Sequence, residues 1–548
     1  MKTSHFLILA TMFASAACAA SATRPAAQWG GELRIAIHSD PKTFHPLLVT
    51  EDSGSLIGYL TGGRLLRWNH TTQMMEPELA RTWRVTPGGR EIRFELREDA
   101  RFSDGSSVTP ADVVLTFHTL FDPKTNSPDA EAFLAGGKQV VVEAAGPHTV
   151  LMRLPQPIAG VERLLGNIAI VNARALASVS DPAHMPTAGA FHVTVYTPGA
   201  AITLSRNPYY WKTENGRRLP YLDSIRVQIR QDRSLELNSL LAGELDAISG
   251  VDPKAFARIG RAPGVIAADA GASLDSEQLW FNQNPAAPIA DYKKAWFRSR
   301  EFRRALSSAI HRADLARLVY DSHASQAAGI MPVSNRAWTD RNITTPAYDV
   351  AAAEKLLNAA GFTLKQGTLR DSAQHPVEFS VITNAGNTAR ERMLALIQQD
   401  LARIGIRLRS ITLDFPSLIE RITRSFDYDA CLLGLVMDDL DPDSQMNVWL
   451  SSGPNHPWYP DEKVPATPWE AEIDRLMRQQ SHETDAAARK RDFDRVQEIV
   501  ADQAPVLFLV VKNSLAAYSA RTANVAPSPF FPYLLWNVDQ IWLRAERR

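Results

Sequence analysis

Cysteine is scarce in this chain, which has only Cys18 and Cys431 among 548 residues. Two cysteines cannot build the disulfide framework on which small secreted domains depend, so the folded body must be stabilised by its apolar core. Cys431 lies in the apolar run "ACLLGLVM", where a lone cysteine is most often a small buried hydrophobe. We therefore interpret Cys431 as a core residue.

An excess of charge of either sign is also missing. The chain has 59 basic and 60 acidic residues, for a formal net charge of −1. Such a balance creates no field that would draw the whole chain to nucleic acid or to an anionic membrane. The basic residues form a cluster only in the terminal "RAERR", so a basic groove with interleaved aromatic residues is not supported and we expect no nucleic-acid partner.

Motifs of catalysis are absent as well. The sequence contains no Gly-x-Ser-x-Gly elbow, His-Glu-x-x-His helix, Walker loop or Gly-x-Gly-x-x-Gly turn. Its histidines, such as His45, His118, His184 and His192, are dispersed and show no metal-ligand spacing. We predict no catalytic residues, no metal site and no cofactor, and hence a protein that is not an enzyme.

Long apolar runs are limited to the N-terminus. "MKTSH" supplies a short positive region and "FLILATMFASAA" a twelve-residue apolar core, a pattern typical of a secretory signal. Two processing routes stay open: cleavage after Ala17-Cys18-Ala19, or use of "SAAC" as a loose lipobox that leaves Cys18 lipid-bearing. Residues 1–28 are thus predicted to be a signal peptide and tether, and the mature protein to be a soluble body outside the cytoplasm, lipid-anchored in the second case.

The stretch "GLVMDDLDPDSQMNVWL" concentrates carboxylates after an apolar strand. Its spacing imitates a calcium loop, but Ser444 stands where the loop needs glycine and Leu450 where it needs a bidentate glutamate. We assign Asp441 and Pro442 to a turn, as Asp-Pro sequences favour, and place Asp443 on the solvent side of that turn. The remaining acids need another explanation.

Elsewhere the chain alternates strand-like and helix-like patterns, which indicates α/β architecture. Thr109 and Pro110 mark a helix start, Asp349 caps the helix "VAAAEKLLNAA", and Gly361 ends it. "EFRRALSSAIHRADLARLVY" is predicted to be one long helical block, and residues 350–440 to contain βαβ units.

The loop from Ser451 to Trp469 has five prolines and is too long for a plain connector. It is predicted to be either a lid or a surface excursion, and we favour the surface excursion.

Several stretches, taken in order, resemble one known family. They are "MEPELARTWRVTPGGREIRFELREDARFSDGSSVTPADVVLTF", "GAFHVTVYTPGAAITLSRNPYYWK", "PYLDSIRVQI" through "LLAGELDAI", "FRRALSSAIHRADLARLVY", "AAEKLLNAAGF" and "IQQDLARIGIRL". Together they are similar to the periplasmic solute-binding proteins of ABC importers in the oligopeptide/dipeptide/nickel-binding class, the family 5 extracellular solute-binding proteins.

The resemblance implies a two-lobed, flytrap-like α/β fold, type II-like, with an inserted subdomain and a ligand enclosed between the lobes. By analogy the main part of the first lobe comprises residues 29–65, 190–275 and 510–548, the inserted subdomain residues 66–189, and the second lobe residues 276–509. Ligand binding then closes the hinge, and a membrane permease recognises the closed form. The resemblance also implies a monomer whose partners are its ligand and the permease subunits.

The same resemblance suggests ligand-binding residues. The aspartate that holds the peptide α-ammonium in peptide-binding members aligns with Asp438, four residues after Gly434. Leu435 stands where the family commonly has an aromatic residue, and Asn384 is about where dipeptide binders carry an arginine for the ligand carboxylate. We assign Asp438, Leu435, Asn384 and Trp449 to the ligand site, and expect a ligand longer than a dipeptide or of another kind.

Three functions follow, in order of preference. The first is a transport receptor for peptides, and the second is the same fold binding a metal chelate, an opine or a sugar-like solute. The third is a secreted hydrolase on a binding-protein scaffold, against which the missing catalytic motifs count.

Overall fold

The computed structural model describes residues 27–176, 182–232, 234–437 and 439–545. The predicted signal segment, including Cys18, and the predicted ligand-binding Asp438 lie outside these residues. Among the residues described, no helix is both long enough and apolar enough to cross a bilayer.

The first half of the chain is rich in short strands. They are β1 (Glu32–Ile37), β2 (Leu66–Asn69), β3 (Met74–Pro77), β4 (Ala80–Val85), β5 (Glu91–Leu96), β6 (Leu134–Ala135), β7 (Lys138–Gln139), β8 (Val141–Ala144), β9 (Thr149–Arg153), β10 (Phe191–Thr197), β11 (Ala201–Arg206), β12 (Thr213–Glu214), β13 (Arg217–Arg218), β14 (Ser224–Ile229), β15 (Ala247–Ser249) and β16 (Val265–Phe281). The helices of this half are α1 (Asp52–Thr61), α2 (Pro110–Phe121), α3 (Val161–Leu165), α4 (Ala173–Leu176), α5 (Ser234–Leu241) and α6 (Pro253–Ile259).

The second half holds the longer helices. They are α7 (Asp291–Arg298), α8 (Arg300–Ala309), α9 (Arg312–Val319), α10 (Val350–Ala359), α11 (Thr388–Ala402), α12 (Phe415–Glu420), α13 (Met446–Trp449), α14 (Pro468–Gln480) and α15 (Ala486–Gln503). Its strands are β17 (Ala324–Gln326), β18 (Thr363–Lys365), β19 (Thr368–Arg370), β20 (Glu378–Asn384), β21 (Arg407–Leu413), β22 (Ala430–Val436), β23 (Val506–Ser519), β24 (Thr522–Ala523) and β25 (Trp542–Leu543).

Three bodies with separate cores are built from these elements. The terminal body contains the four-stranded sheet β1-β14-β11-β10, in which Leu33, Ile35 and Ile37 alternate inward along β1 as the period of a half-buried strand requires. The inserted body contains the sheet β4-β5-β9-β8, with α2 packed on it. The large body contains most of the sheet β15-β23-β16-β22-β20-β21, with an apolar core on each face.

Two long strands join the terminal body to the large body. β16 and β23 pair antiparallel from Val265 opposite Ser519 to Trp280 opposite Val506, with register shifts around Ala272. The predicted lobe boundaries, at 275/276 and 509/510, fall inside these two strands. The division of the chain into lobes and subdomain stays a prediction, and the irregular pairing in the middle of the two strands is where a hinge would bend them.

The local predictions for the helix ends are confirmed. At the start of α2 the Asp112 carboxylate accepts from the Thr109 backbone N–H at 2.7 Å, as part of a capping box. The Asp349 carboxylate accepts from the Ala352 N–H at 2.9 Å at the start of α10, and Gly361 follows that helix with a φ of +86°. The predicted βαβ unit is also present, because β20 and β21 are parallel neighbours joined by α11.

The prediction of one helical block from Glu301 to Tyr320 is wrong. The block is split into α8 and α9, with Ile310 extended between them. The break is held because the His311 backbone N–H donates to Asp400 at 2.9 Å instead of continuing the helix. The buried Arg312 guanidinium donates to the Ser307 carbonyl, which the break frees, and also to the Phe508 carbonyl in β23.

The prediction for the loop Ser451–Trp469 is wrong too. Instead of a surface excursion or a lid, the loop turns its aromatic residues into the core of the large body, where Trp458 is 1% exposed. Trp458 contacts Trp449 and Trp469, with ring centroids 6.4 and 5.7 Å away. The loop is therefore a packed segment although its proline-rich composition is typical of an exposed one, because burial of its aromatic side chains stabilises the packed conformation.

Candidate functional site

A cavity of about 420 Å³ lies between the terminal body and the inserted body. Tyr59 and Trp536 line it from the terminal body, and Trp68, His70 and Arg163 line it from the inserted body. Its volume lies within the roughly 300–1,000 Å³ of small-molecule pockets, and its lining mixes aromatic faces with a few charged groups, as such pockets do.

The terminal body and the inserted body contact each other at the wall of this cavity. His70 stacks on Trp536, with 5.0 Å between ring centroids, and its Nδ1 lies 2.8 Å from the Ser528 hydroxyl. Burial lowers the pKa of His70 to about 3, with the positive charges of Arg163 and Arg67 acting in the same direction. The ring is therefore neutral at physiological pH and acts as a packed aromatic surface.

The cavity wall contains buried charged groups of both signs, which shift one another's pKa. Burial raises the pKa of Glu78 to about 7, although the nearby Arg64 and Arg67 act in the opposite direction. Burial also disfavours charge on Asp539, but Arg67 and Lys212 outweigh that effect and hold the pKa of Asp539 below its ordinary value. The Lys212 ammonium donates to Asp539 at 2.7 Å.

Three polar atoms of the cavity lining have no hydrogen-bond partner among the residues that the structure describes. They are Trp68 Nε1, Glu78 Oε2 and Arg163 Nη1, and all three are buried. Buried donors and acceptors are rarely left unpaired, because each costs about 1–3 kcal/mol. Such atoms in a cavity wall are suited to a polar ligand with both an acceptor and a donor.

Arg163 also reaches the large body. Its Nε and Nη2 donate to the two carboxylate oxygens of Asp439 at 2.9 and 3.2 Å. Its guanidinium lies over the Trp68 ring at 4.0 Å from the centroid. The cavity therefore lies beside the point where all three bodies meet.

The carboxyl ends of β20 and β22 form the neighbouring edge of the large body. Asn384 ends β20 and Leu435 is next to last in β22, and these strands are parallel neighbours, so both residues lie at the same edge of the sheet. Asp439 lies three residues after the end of β22. In open α/β sheets this edge is where ligands bind.

An arginine is present at this edge although Asn384 stands where one was expected. Arg390, in the first turn of α11, donates through Nη1 to Asn384 Oδ1 at 2.8 Å and through Nε to Glu277 at 2.8 Å. Its Nη2 group lies so close to Gly434 that a β-carbon at this position would displace the guanidinium. Because Glu277 is 1% exposed and neutralises Arg390, this arginine is engaged within the protein.

The structure separates the predicted site residues. Leu435 is half-buried at the sheet edge, whereas Trp449 is 2% exposed within the core of the large body, 6.4 Å from Phe508 by ring centroids. Trp449 is therefore not at a surface that a ligand in the cavity could reach. Asp438 lies outside the described residues, between the buried Met437 and Asp439.

The acidic run has a structural role at Asp441 and Asp443. Asp441 caps the turn Pro442–Gln445, as predicted, and also forms a buried ion pair with Arg489. The placement of Asp443 on the solvent side is wrong, since its side chain is half-buried and lies 3.4 Å from Gln480 Nε2. Burial, together with the charge of Asp441, raises the pKa of Asp443 to about 6.

Sequence reasoning missed the cavity residues of the inserted body. Trp68, His70, Glu78 and Arg163 carry no motif, and they come together only because β2, the loop after it and α3 pack against the terminal body. A weak signal existed in "RLLRWNHTTQMMEPE", which places two arginines, a tryptophan and a histidine within seven residues.

Three separate cores, two long crossing strands and a cavity beside the meeting point of the bodies form the arrangement of a two-lobed binding protein. The chain belongs to the bacterial extracellular solute-binding proteins of family 5, because the model of that family's middle region matches residues 74–457. The family expected from the sequence is confirmed, and so is the two-lobed α/β fold.

Individual relatives are distant but match nearly the whole chain. A probable ABC transporter-binding protein from Deinococcus radiodurans is 25% identical, over 90% of this chain and 89% of its own. The oligopeptide-binding protein AppA from Bacillus subtilis is 24% identical, over 95% and 93%. Among solved structures, the ABC transporter substrate-binding protein CtaP from Listeria monocytogenes covers 94% of this chain and all of its own, with a TM-score of 0.78 and 22% identity.

Proposed function

We propose that this chain is the extracytoplasmic substrate-binding component of an ABC importer, and that it captures peptides and delivers them to a membrane permease. Its family membership and the naming of relatives as transporter-binding and oligopeptide-binding proteins support this. The fold alone does not select the ligand, since solved structures of the same fold hold a nonapeptide in one case and agropinic acid in another.

The observation that carries the proposal is the cavity wall. Trp68 Nε1, Glu78 Oε2 and Arg163 Nη1 offer two donors and one acceptor without partners in the described chain. A peptide presents backbone carbonyl and N–H groups in alternation, which such atoms can bind irrespective of side-chain identity. The aromatic faces of Trp536 and Tyr59 beside them suit side chains of varied shape.

Within this proposal Asp438 binds the α-ammonium of the peptide. It directly precedes Asp439, which contacts the cavity residue Arg163, and the resemblance assigns an ammonium-binding aspartate to this position. A charge-assisted hydrogen bond of this kind contributes about 1.5–3 kcal/mol. Leu435 and Asn384 would border the ligand at the sheet edge, whereas Trp449 would support them from the core.

The ligand carboxylate is assigned elsewhere. Arg390 is paired with Glu277 and Asn384, so a carboxylate clamp at that edge would have to break a buried ion pair. Arg163 lines the cavity, and its buried Nη1 has no partner among the described residues, so it is the group we propose for a carboxylate or carbonyl of the ligand.

The cellular setting follows from the same proposal. The chain would act outside the cytoplasm, as a monomer and without enzymatic activity, with permease subunits as partners. Whether Cys18 carries a lipid anchor depends on which of the two processing routes is used.

Native mass spectrometry of the mature protein purified from its host tests the peptide proposal. A ladder of retained peptide masses is the expected result, because an enclosing receptor releases its ligand slowly. A single non-peptide mass would instead identify the protein as a receptor for a chelate, opine or sugar-like solute. Turnover of a generic ester or peptide substrate without a retained ligand would indicate a hydrolase and contradict the proposal.

A further inference from the structure

Three side chains with ligand atoms for metals meet inside the large body. His456, Glu462 and Glu470 each offer one nitrogen or oxygen, and these atoms lie within 4.8 Å of one another. The three residues are 1%, 2% and 4% exposed, respectively. None of them lines the cavity between the terminal and inserted bodies, so this cluster is separate from the solute site.

The loop Ser451–Trp469 folds back on itself to bring the three groups together. The backbone N–H groups of His456 and Asp461 both donate to the Gly453 carbonyl, at 3.2 and 3.1 Å. The Glu462 N–H donates to the Ser451 carbonyl at 3.0 Å. These bonds place the two ends of the turn side by side.

Glu470 is fixed by a different set of contacts. It lies in the first turn of α14, where the Thr467 hydroxyl donates to its Oε2 at 2.7 Å. The Trp458 indole N–H donates to its Oε1 at 2.8 Å. Each carboxylate oxygen has a second lone pair, so both can still bind a cation.

Two atoms of the cluster lack partners among the residues described. They are His456 Nε2 and Glu462 Oε2, each fully buried. His456 Nδ1 lies 2.9 Å from the Val448 carbonyl, and because a carbonyl only accepts, Nδ1 carries the proton. Nε2 of the neutral ring then keeps a lone pair free for a ligand, and metal-binding histidines commonly donate their other ring N–H to a carbonyl in this way.

The electrostatics of the cluster favour a cation. Burial lowers the pKa of His456 to about 4, so the ring supplies no positive charge at neutral pH. Burial and the neighbouring Glu470 raise the pKa of Glu462 to about 7. The nearby Asp474 is already paired with Arg478 at 2.9 Å. Arg298 acts on Glu462 and Arg303 on Glu470 through their charges, but a divalent cation between the two buried carboxylates would bind both directly.

We propose that His456, Glu462 and Glu470 bind one divalent transition-metal ion of the zinc class, which fastens the loop Ser451–Trp469 to α14. Imidazole nitrogen with carboxylate oxygen suits Zn²⁺ and similar ions, whereas Ca²⁺ and Mg²⁺ take oxygen ligands. Ligands about 2.0–2.2 Å from a tetrahedral Zn²⁺ lie about 3.3 Å apart. The atoms therefore need to approach by at most about 1.5 Å.

One further side chain of the loop is a candidate for the fourth ligand. The Ser451 hydroxyl is buried without a hydrogen-bond partner in the described chain, and its own carbonyl contacts Glu462. Either this hydroxyl or a water would complete four-coordination.

The test uses the full mature protein, without an affinity tag, after treatment with a chelator. Zn²⁺ alone is titrated while elemental analysis gives the bound equivalents and calorimetry gives the affinity. We expect one equivalent per chain and a higher melting temperature with Zn²⁺. Co²⁺ in place of Zn²⁺ should give visible absorption bands of a low-coordinate site.

Glu462→Gln keeps the shape of the side chain and removes one ligand, and Asp461→Asn is the matched control at the exposed neighbouring position. Glu462→Gln should weaken Zn²⁺ binding at least as much as the loss of an outer-shell partner does, roughly 10–100-fold. Asp461→Asn should bind as the unmodified protein does. His456→Gln should behave as Glu462→Gln.

Folding of the variant is checked by melting in chelator. There Glu462→Gln should melt no lower than the unmodified protein, because the charge repulsion with Glu470 is relieved, while only the unmodified protein should gain stability from Zn²⁺. Absence of a bound equivalent in the unmodified protein would overturn the proposal and leave Glu462 as a protonated, hydrogen-bonded acid. Equal Zn²⁺ binding by Glu462→Gln would overturn it in favour of a surface site.

Discussion

The guanidinium of Arg163 contacts both carboxylate oxygens of Asp439, at 2.9 and 3.2 Å, and so joins the inserted body to the large body. Both side chains are about one-fifth exposed to solvent, and the Arg163 guanidinium also lies over the Trp68 ring. If the bodies bend about β16 and β23 as predicted, this contact forms only when they are close. The pair is then expected to belong to the closed arrangement and to oppose opening.

Removing this pair should favour the open form. Asp439→Asn keeps the side-chain shape and leaves Arg163 in place for the ligand, but it removes the charge of the bidentate contact, and we expect ligand affinity to fall about fivefold, or about 1 kcal/mol, as for a partly exposed ion pair. Calorimetry with the retained ligand gives the affinity, and small-angle scattering should show a larger radius of gyration without ligand. Arg153→Gln, which removes an exposed pair with Glu143 on the inserted body, is the control and should change neither. An unchanged affinity in Asp439→Asn would show that the contact does not bias closure.

The buried pair of Asp441 and Arg489 should be the most costly of the acidic run to break. Asp441 is 8% and Arg489 5% exposed, and Arg489 is held in addition by Gln480. Asp441→Asn should lower the free energy of unfolding by about 3–5 kcal/mol, because the guanidinium loses its counter-charge in a buried place. Urea unfolding monitored by circular dichroism measures this. Glu498→Gln on the same helix breaks only an exposed contact with Arg495 and should stay within about 0.5 kcal/mol.

Glu78 should make stability depend on pH in an unusual direction. Burial raises the pKa of its carboxyl group from the ordinary value of 4.5 to about 7 in the folded protein. Because the folded state binds this proton more tightly than the unfolded state does, the proton stabilises the fold fully at pH values below the pKa of Glu78 in the unfolded state. This stabilisation is lost as the pH rises through the pKa of Glu78 in the folded state. Relative to Glu78→Gln, the unmodified protein should therefore lose up to about 3 kcal/mol of unfolding free energy between about pH 4.5 and 7.

Parallel urea titrations at several pH values measure this difference. The exposed Glu98→Gln serves as control, and its difference from the unmodified protein should not vary in this way. A difference between Glu78→Gln and the unmodified protein that is flat across pH 4.5–7 would show that Glu78 is charged in the folded state throughout this range.

The sequence predicted those features of the fold that depend on local chemistry. The capping box at Thr109, the cap at Asp349 and the glycine after α10 were all readable, because each is decided within a few residues. The split between α8 and α9 was not, since Asp400 and Phe508, which satisfy the break, are distant in sequence. The burial of the loop Ser451–Trp469 could not be predicted either, because it depends on contacts among tryptophans that the amino-acid composition does not reveal.

The sites show the same division. Resemblance identified the sheet edge with Asn384 and Leu435, but the pairing of Arg390 with Glu277 spans 113 positions of sequence and required the fold. The cluster of His456, Glu462 and Glu470 has no familiar metal-ligand spacing, because its geometry comes from a turn about Gly453 and a helix start at Thr467. Dispersed histidines therefore did not indicate it.

The processing route at the N-terminus can be decided with one substitution. If Cys18 is the lipid-bearing first residue, Cys18→Ala should move the protein from the membrane fraction to the soluble fraction of the native host. An unchanged distribution, with a mature chain that begins beyond residue 19 by mass spectrometry, would instead support cleavage at the Ala-x-Ala site.

The sharpest prediction concerns Asp438 and a positive charge on the ligand. Asp438→Asn keeps the side-chain shape but leaves an enclosed ammonium unpaired, so binding should weaken by roughly 2–5 kcal/mol in calorimetry. Acetylating the N-terminus of the peptide removes the same charge from the other side. The two changes should therefore be strongly non-additive: acetylation should cost the unmodified protein much and Asp438→Asn little.

Asp439→Asn is the matched control for this cycle, because Asp439 is the neighbouring carboxylate and is already bonded to Arg163. It should weaken binding modestly, through the loss of the contact between bodies, and by the same factor for free and acetylated peptide. If the effects of acetylation and Asp438→Asn add independently, Asp438 does not hold the amine. The acid run would then serve only as turn, cap and contact between bodies, through Asp441 and Asp439, and the ammonium would have to bind Glu78 or another acid of the cavity wall.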